Sequence, residues 1–369
     1  MRLLFLASAI LALSGCSSGH GTNTGATEEG DTLTRAARHL TLIDRDGYVE
    51  AIISTPWTAA DKPGHYLLVP RGHDIDAPDG TAVVHVPLER SVVFSSVHTS
   101  PIFELGAGEA IAGVADGQYF AATDTVARLL SAGLIADVGA ATSPSPEQIL
   151  ALEADAVLMS PMPESDYTVY TRNGIVALPM ADYLELDPLG RAEWIKLLGV
   201  LYGQREKADS IYNEVCTAYN QLRNADKAGA APRVLTETIT SGVWYLPAGD
   251  SYMARMLDDA GGDYPWADVK SEGSIALDAE GVLDRATDAD VWFIRSFGPV
   301  PSLESLAAAN PAAEHIKAFR DGNVYVCDTS RKNIFNDIAF HPEKVLRDFV
   351  IIMHPASHAG EEPVYFEKL

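Results

Sequence analysis

Basic residues and cysteine are scarce in this sequence. It contains 27 Lys and Arg against 51 Asp and Glu, which gives a formal net charge of −24. Proteins that bind nucleic acid neutralise phosphates with clustered Lys and Arg, so the composition argues against a nucleic-acid partner. It also disfavours a surface that lies flat on anionic lipid. Apart from Cys16, the cysteines are Cys216 and Cys327, and their wide separation predicts two buried thiols or one disulfide rather than a metal site.

The motifs of common enzyme classes are also missing. The sequence has no G-x-S-x-G, no H-E-x-x-H and no G-x-x-x-x-G-K. The glycines of LGAGEAIAG fall at 106, 108 and 113, which is not the dinucleotide-binding spacing. His354 and His358 flank Pro355, so they do not form a helical pair of metal ligands. We therefore expect no catalytic residue, no resident cofactor and no metal site.

The first residues have the pattern of a targeting segment. MRLLFLASAILALSGC begins with a basic residue, continues with a short apolar run and ends in small residues before Cys16. The run is too short for a permanent membrane span. Leu13-Ser14-Gly15-Cys16 resembles the lipobox of bacterial lipoproteins, which predicts a signal peptide over 1–15 and a lipid on Cys16; the alternative is an ordinary signal peptide with an incidental cysteine. We thus expect an extracytoplasmic, membrane-anchored lipoprotein of the periplasm.

The remaining chain predicts a tether followed by two lobes. Residues 16–35 are mostly Ser, Gly, Thr and acid and cannot bury enough apolar surface to fold. Residues 36–90 show short alternating runs between turn residues, which predicts a small antiparallel β-rich appendage. Short buried-type strands then alternate with helical patterns over 91–186 and again over 228–369, which is typical of α/β lobes with mainly parallel sheets.

A helical connection over 187–227 separates the two lobes. It is interrupted at Gly203, and its second half, from about Arg205 to Asn224, carries one apolar stripe at spacings of three and four. Such a helix is about 30 Å long at 1.5 Å per residue, enough to bridge two lobes. On each side of it the same unit recurs: Glu147 or Glu280 opens a short helix, and an Ala-Asp pair leads into a buried strand.

From Ser91 to Pro355 the chain resembles the substrate-binding proteins of bacterial importers for iron-siderophore complexes, haem and cobalamin. The stretches that carry the resemblance are RSVVFSSVHTSPIFELGAGEAIAGVAD, EQILALEAD, LPAGDSYMARMLDDAGG and FRDGNVYVCD. The resemblance implies a monomer of two α/β lobes joined by a rigid helix, with the ligand in the cleft between them. It also implies that Glu147 and Glu280 dock onto arginines of an ABC importer permease. The alternative is that each Glu only complements the positive end of its helix, worth about 0.3–1 kcal/mol.

Candidate ligand-binding residues follow the strands, because open parallel sheets bind ligands beyond the carboxyl ends of their strands. Aromatic rings suit a large flat ligand, and arginine suits its carboxylates or phosphate. The candidates are His98, Tyr119, Met159, Tyr167 and Tyr183 in the first lobe, and Trp244, Tyr245, Trp266, Arg295, Phe297 and Arg331 in the second.

Several ligands fit these candidates. His98, Tyr119, Tyr167 or Tyr183 could approach a haem iron, and a siderophore complex held by aromatic rings with Arg295 or Arg331 fits equally well. The cobalamin binders have Trp shortly before each docking Glu, whereas Ala141 and Ser274 stand there in this chain, which weakens the interpretation of a corrinoid ligand. A two-lobed metal or cofactor enzyme is the alternative to a binding protein.

Overall fold

The computed structural model describes residues 30–57, 63–120, 124–163, 166–227, 229–298 and 302–369. The predicted signal peptide, Cys16 and most of the predicted tether lie outside these ranges. Within them, no helix has the length and apolar character needed to cross a membrane.

A five-stranded sheet, here called the N-terminal sheet, precedes the first lobe. Its strands are β1 (Asp31–Thr32), β2 (Leu40–Arg45), β3 (Tyr48–Ile53), β4 (Gly64–Pro70) and β5 (Thr81–Val86), in that spatial order. The first three pairings are antiparallel, as predicted, but β4 and β5 are parallel. The prediction was wrong for this pair because the chain between them crosses over instead of turning back as a hairpin. Strand β1 lies within the segment that was predicted to be a tether.

Two buried carboxylates fasten the N-terminal sheet to the first lobe. Glu193 accepts hydrogen bonds from the backbone N–H groups of Ala36 and Ala37 at 2.7 and 2.9 Å. Glu185 accepts them from Arg38 and His39 at 2.8 and 2.9 Å. A buried carboxylate is costly unless its oxygens are hydrogen-bonded, so these contacts hold the segment 35–39 in one place. The sheet also shares a hydrophobic core with the first lobe, to which it contributes residues such as Leu40, Leu42 and Leu68.

The first lobe is built on a parallel sheet of order β12-β11-β6-β7-β8. Pro or a capping Ser or Asp begins its longer helices, as the local sequence predicts. Its elements are β6 (Ser91–Val93), α1 (Ser96–Glu104), β7 (Ile111–Val114), α2 (Thr125–Ser131), β8 (Ala136–Asp137), β9 (Gly139–Ala140), β10 (Ser143–Pro144), α3 (Pro146–Ala151), β11 (Ala156–Met159), α4 (Thr168–Thr171) and β12 (Val176–Pro179).

The connection between the lobes consists of α5 (Pro188–Ala192), α6 (Ile195–Leu201) and α7 (Arg205–Asn224). The bounds of α7 are those predicted, and the break before it is at Gly203, whose φ of 68° favours glycine. Ala208 and Val215 of α7 belong to the core of the first lobe, and Tyr219 belongs to the core of the second. The helix therefore bridges the lobes through its own buried stripe.

The second lobe has a sheet of order β13-β17-β18-β19, in which only the edge strand β19 is antiparallel, and a separate antiparallel sheet β14-β15-β16. The α/β fold with two lobes, a bridging helix and a β-rich N-terminal part is thus confirmed. The elements are β13 (Val234–Thr236), β14 (Ile239–Thr240), β15 (Val243–Pro247), α8 (Tyr252–Asp259), β16 (Ser274–Leu277), α9 (Ala279–Ala286), β17 (Val291–Ser296), α10 (Leu303–Ala309), α11 (Lys317–Arg320), β18 (Val324–Asp328), α12 (Ile334–Phe340), α13 (Pro342–Met353) and β19 (Glu367–Lys368).

The unit repeated in the sequence builds the same local structure in both lobes. In the first lobe, Asp155 lies between α3 and β11 and accepts the backbone N–H of Arg90 at 3.0 Å. In the second lobe, Asp290 lies between α9 and β17 and accepts the backbone N–H of Arg233 at 2.9 Å. The guanidinium of each arginine also donates to a backbone carbonyl at the C-terminal end of the helix that precedes the Asp, which is α3 in the first lobe and α9 in the second. Each Asp therefore joins its helix to the first strand of its lobe.

Candidate functional site

The cleft between the lobes contains a pocket to which both lobes contribute, here called the interlobe pocket. It has a volume of about 240 Å³, and it is lined by Tyr119 from the first lobe and by Phe297 and Phe335 from the second. Tyr119 is 65% exposed and Phe297 is 74% exposed. Large, exposed aromatic side chains that together line a concave site are typical of a binding surface.

A second pocket, here called the Arg295 pocket, has a volume of about 420 Å³. The first-lobe segment 183–186, Tyr252 and Arg295 of the second lobe, and the loop after β3 line it. The guanidinium carbon of Arg295 lies 5.4 Å from the centroid of the Phe335 ring, which lines the interlobe pocket. The two pockets are therefore neighbours, separated by the contact between Arg295, which lines one, and Phe335, which lines the other.

The charge of Arg295 is held by Glu237. The Nε atom of Arg295 donates to Glu237 at 2.7 Å, and a second guanidinium nitrogen also contacts this carboxylate. Burial alone would lower the pKa of Arg295, but Glu237 raises it above the usual value, so the side chain stays charged. Glu237 follows β13 with a φ of 60°, a conformation that is uncommon outside glycine and is concentrated at functional sites.

A third pocket, here called the first-lobe pocket, has a volume of about 510 Å³ and lies beyond the ends of β6 and β11. Its lining includes the predicted residues Met159 and Tyr167. Tyr183, also predicted, lines the Arg295 pocket, and its hydroxyl donates to the backbone carbonyl of Pro161. Met162, the residue after Pro161, lines the first-lobe pocket, so Tyr183 connects these two pockets.

His98 does not face the cleft, contrary to the prediction. It is 1% exposed, and its Nε2 atom lies 2.7 Å from the carboxylate of Asp182. The other carboxylate oxygen of Asp182 contacts Arg191 at 3.1 Å. Burial alone would raise the pKa of Asp182, but His98 and Arg191 lower it below the usual value. His98 therefore belongs to a buried hydrogen-bonded network around Asp182, and its position corrects the prediction that it approaches a ligand.

Trp244 and Trp266 are core residues rather than pocket residues, which corrects two further predictions. Trp244 is 0% exposed, stacks on Trp292 with a centroid separation of 5.5 Å and donates from Nε1 to the carbonyl of Thr236 at 3.0 Å. Trp266 is buried with its ring 5.7 Å from Tyr264. Because both indoles already have their packing partners, neither presents a face to the cleft.

Two predicted residues of the second lobe are exposed outside the three pockets. Tyr245 is 54% exposed and pairs with Ala276 across the antiparallel sheet. Arg331 is exposed on the loop after β18, and its neighbours Ser330 and Lys332 line the interlobe pocket. Sequence reasoning also missed Phe335, which lines this pocket from the start of α12. The sequence signal for Phe335 is that it is the single aromatic residue in the polar stretch SRKNIFND.

Glu147 and Glu280 occupy matching positions in the two lobes. Each lies in the first turn of its helix, α3 or α9, and each is exposed. The helices are capped by other side chains: Ser145 accepts the backbone N–H of Gln148, and Asp278 accepts that of Gly281. The N-cap position of each helix is therefore filled by a side chain other than the glutamate. Elsewhere in the described ranges, no group of three or more His, Cys, Asp or Glu could hold a metal ion.

Residues 95–330, more than half of the chain, match the family described as "Periplasmic binding protein". This chain belongs to the periplasmic binding protein family. An uncharacterized lipoprotein of Methanocaldococcus jannaschii is 27% identical over 300 residues, covering 79% of this chain and 71% of that protein.

Two solved structures share the fold of this periplasmic binding protein. A protein of an ABC-type Fe³⁺-hydroxamate transport system from Saccharomonospora viridis is 20% identical with a TM-score of 0.55, and the match covers 72% of this chain and 93% of that one. A periplasmic haem-binding protein from Pseudomonas aeruginosa is 17% identical with a TM-score of 0.57, and the match covers 76% and 98% of the two chains.

Family membership decides between the two classes of function that the sequence left open. The family is one of binding proteins, so the prediction of a binding protein rather than an enzyme is confirmed. The family acts outside the cytoplasm, which confirms the extracytoplasmic part of the predicted location.

Proposed function

We propose that this periplasmic binding protein captures an iron complex, a siderophore or haem, in its interlobe cleft and delivers it to the permease of an ABC importer. The observation that carries the proposal is the pair Tyr119 and Phe297, which come from different lobes, are both largely exposed and line one pocket. A flat, partly apolar ligand between these rings would remove them from water and draw the lobes together.

The chemistry of the neighbouring pocket supports the same ligand class. Arg295 is charged and partly exposed, and Glu237 engages its Nε and one terminal nitrogen, so a carboxylate or a negatively charged chelate oxygen can accept from the remaining N–H groups of the guanidinium. Structures with the same fold include a haem-binding protein and a protein of a ferric hydroxamate system. Corrinoids, which the sequence disfavoured, form the third class to compare.

A titration of the purified protein tests the proposal. Haemin, a ferric hydroxamate, a ferric catecholate and cyanocobalamin are each added, and binding is followed by the absorbance of the ligand and by calorimetry. We expect saturable one-to-one binding of one iron complex with a dissociation constant in the micromolar range or below. The absence of binding by all four ligands would contradict the proposal, and binding of cyanocobalamin alone would replace iron complexes with a corrinoid.

We further propose that Glu147 and Glu280 dock onto arginines of the permease and that a lipid on Cys16 anchors the protein to the membrane as a monomer. The exposure of the two glutamates and their matching positions support docking, because charge pairs at an interface guide and orient the complex. The lipobox-like sequence before Cys16 and the lipoprotein relative support the anchor. One chain supplies both lobes, both docking groups and the complete cleft, which is consistent with a monomer.

A further inference from the structure

The N-terminal sheet reaches the binding cleft although it lies outside residues 95–330, which carry the family match. The loop after β3 places Pro56 and Trp57 in the lining of the Arg295 pocket, together with Tyr183 of the first lobe and Tyr252 of the second. Trp57 is 38% exposed. Three separate parts of the molecule therefore surround one pocket.

The position of Trp57 is set by the contacts that fasten the sheet. At the end of β3, the backbone N–H of Ser54 donates to the carbonyl of His39 at 3.0 Å. The backbone N–H of His39 in turn donates to Glu185 at 2.9 Å, and Glu185 itself lines the Arg295 pocket. The loop that carries Trp57 is therefore tied through two hydrogen bonds to a buried wall residue of the pocket.

An ion pair also links the N-terminal sheet to the second lobe. The guanidinium of Arg38 lies 3.3 Å from the carboxylate of Glu272, which belongs to the lining of the Arg295 pocket. Both side chains are exposed, so this contact adds little stability by itself. It nevertheless shows that the sheet touches both lobes at the same pocket and forms its third wall.

The charged residues of this pocket are all paired. Arg295 is held by Glu237, and Glu272 by Arg38. The carboxylate of Glu185 accepts two backbone N–H groups and the indole N–H of Trp194. Beside the guanidinium of Arg295, the pocket therefore offers a ligand the aromatic surface of Trp57, Tyr183 and Tyr252. These rings suit an uncharged, flat part of a ligand.

We propose that the N-terminal sheet is a third component of the binding cleft and that Trp57 stacks on an uncharged aromatic or conjugated part of the ligand. This inference rests on the proposed function, because it assigns part of the same ligand to the Arg295 pocket. It gives the segment before the family match a role in ligand recognition. Partly exposed tryptophans in pockets are among the side chains that contribute most to binding.

The test compares Trp57→Ala and Trp57→Phe with the wild-type full-length protein, using haemin and a ferric catecholate as probes. We expect Trp57→Ala to weaken the binding of the better probe by about tenfold or more. Trp57→Phe keeps a flat ring and should stay within about threefold of wild type. Leu134→Ala, which removes an exposed apolar side chain outside the described pockets, is the matched control.

A second readout uses the intrinsic fluorescence of the protein. Of the five tryptophans, Trp57 is partly exposed and the other four are buried, so iodide quenching reports mainly on Trp57. Bound ligand should protect it. Unchanged affinity in Trp57→Ala, or no protection in the wild type, would overturn the inference and leave the proposed function standing. Failure of the wild type to bind either probe would count against both. If Trp57→Ala does not fold, the iodide measurement on the wild type decides.

Discussion

The Nε2 atom of His341 lies 2.8 Å from the carboxylate of Glu104, and its Nδ1 atom lies 3.1 Å from Glu343. Glu104 belongs to α1 of the first lobe, whereas His341 precedes α13 of the second. A histidine between two carboxylates therefore joins the lobes on the side of the molecule where α1 and α12 pack together.

This arrangement predicts a pH dependence of stability. Burial alone would lower the pKa of His341, but the two glutamates outweigh it and raise the pKa to about 9. Because the folded protein holds the proton more tightly than the unfolded chain, the stabilisation is complete below the ordinary pKa of about 6.5 and is lost as the pH rises through 9. The melting temperatures of wild type and His341→Gln should differ most near pH 6 and converge toward pH 9.5.

Two observations check the cause of this effect. Glu104→Gln removes one partner and should reduce the difference near pH 6, whereas His315→Gln changes an exposed histidine and should alter the melting temperature little. A constant difference between wild type and His341→Gln over the whole range would show that packing, not charge, explains the role of His341.

Trp244→Ala should destabilise the protein strongly. The ring is fully buried against Trp292, so its removal leaves a large cavity and an unpaired carbonyl at Thr236, at a cost of about 3–5 kcal/mol in the free energy of unfolding. The matched control is its neighbour Tyr245, which points to the opposite, exposed face of β15; Tyr245→Ala should cost less than about 1 kcal/mol. Urea unfolding measures both, and equal costs would contradict the burial seen here.

Tyr119→Ala and Phe297→Ala should each weaken ligand binding by about 1–3 kcal/mol, because both rings line the interlobe pocket. Both side chains are largely exposed, so the melting temperature of the unliganded protein should change by no more than a few degrees. Calorimetry with the ligand identified by the titration gives the affinities, and Leu134→Ala again serves as an exposed control. Wild-type affinity in the Tyr119/Phe297 double variant would place the ligand elsewhere.

Replacement of both Glu147 and Glu280 by Lys should abolish uptake while ligand affinity stays unchanged. The substitutions turn two attractive contacts at the permease into repulsions, which costs several kcal/mol. If the glutamates act only on the helix dipole, the double variant loses about 0.3–1 kcal/mol of stability per site and transports normally. Glu153→Lys combined with Asp284→Lys, two charge reversals at exposed positions toward the other ends of the same two helices, is the control for the change in net charge.

Cys16→Ser should release the protein from membranes, because the lipid on this cysteine is the proposed anchor. Fractionation of cells followed by immunoblotting measures the distribution. Cys216→Ser, which changes a cysteine within α7, should leave it unchanged. Retention of a processed Cys16→Ser protein in the membrane fraction would refute the lipoprotein assignment.

Local patterns in the sequence determined much of the architecture. The bounds of α7 followed from the spacing of its apolar residues and from Gly203, and both of these signals lie in the local sequence. The repeated helix-strand unit likewise contained its own signals, since the capping residue, the apolar face and the Asp before the strand are close in sequence. Tyr119 and Phe297 could be found as cleft residues because they follow strands of parallel sheets.

What the tertiary structure decided is which way each side chain faces and which distant segments meet. His98 follows the first strand of its lobe as expected, but the rotation of α1 turns it toward Asp182, 84 residues away in the chain. Trp244 and Tyr245 were both predicted in the pocket, yet adjacent residues of a strand point to opposite faces, and packing against Trp292 chose the buried one. Trp57 reaches the cleft only because Glu185 and Glu193 fasten the N-terminal segment to the first lobe through contacts between residues some 150 positions apart. Such contacts depend on the assembled core, and no local pattern encodes them.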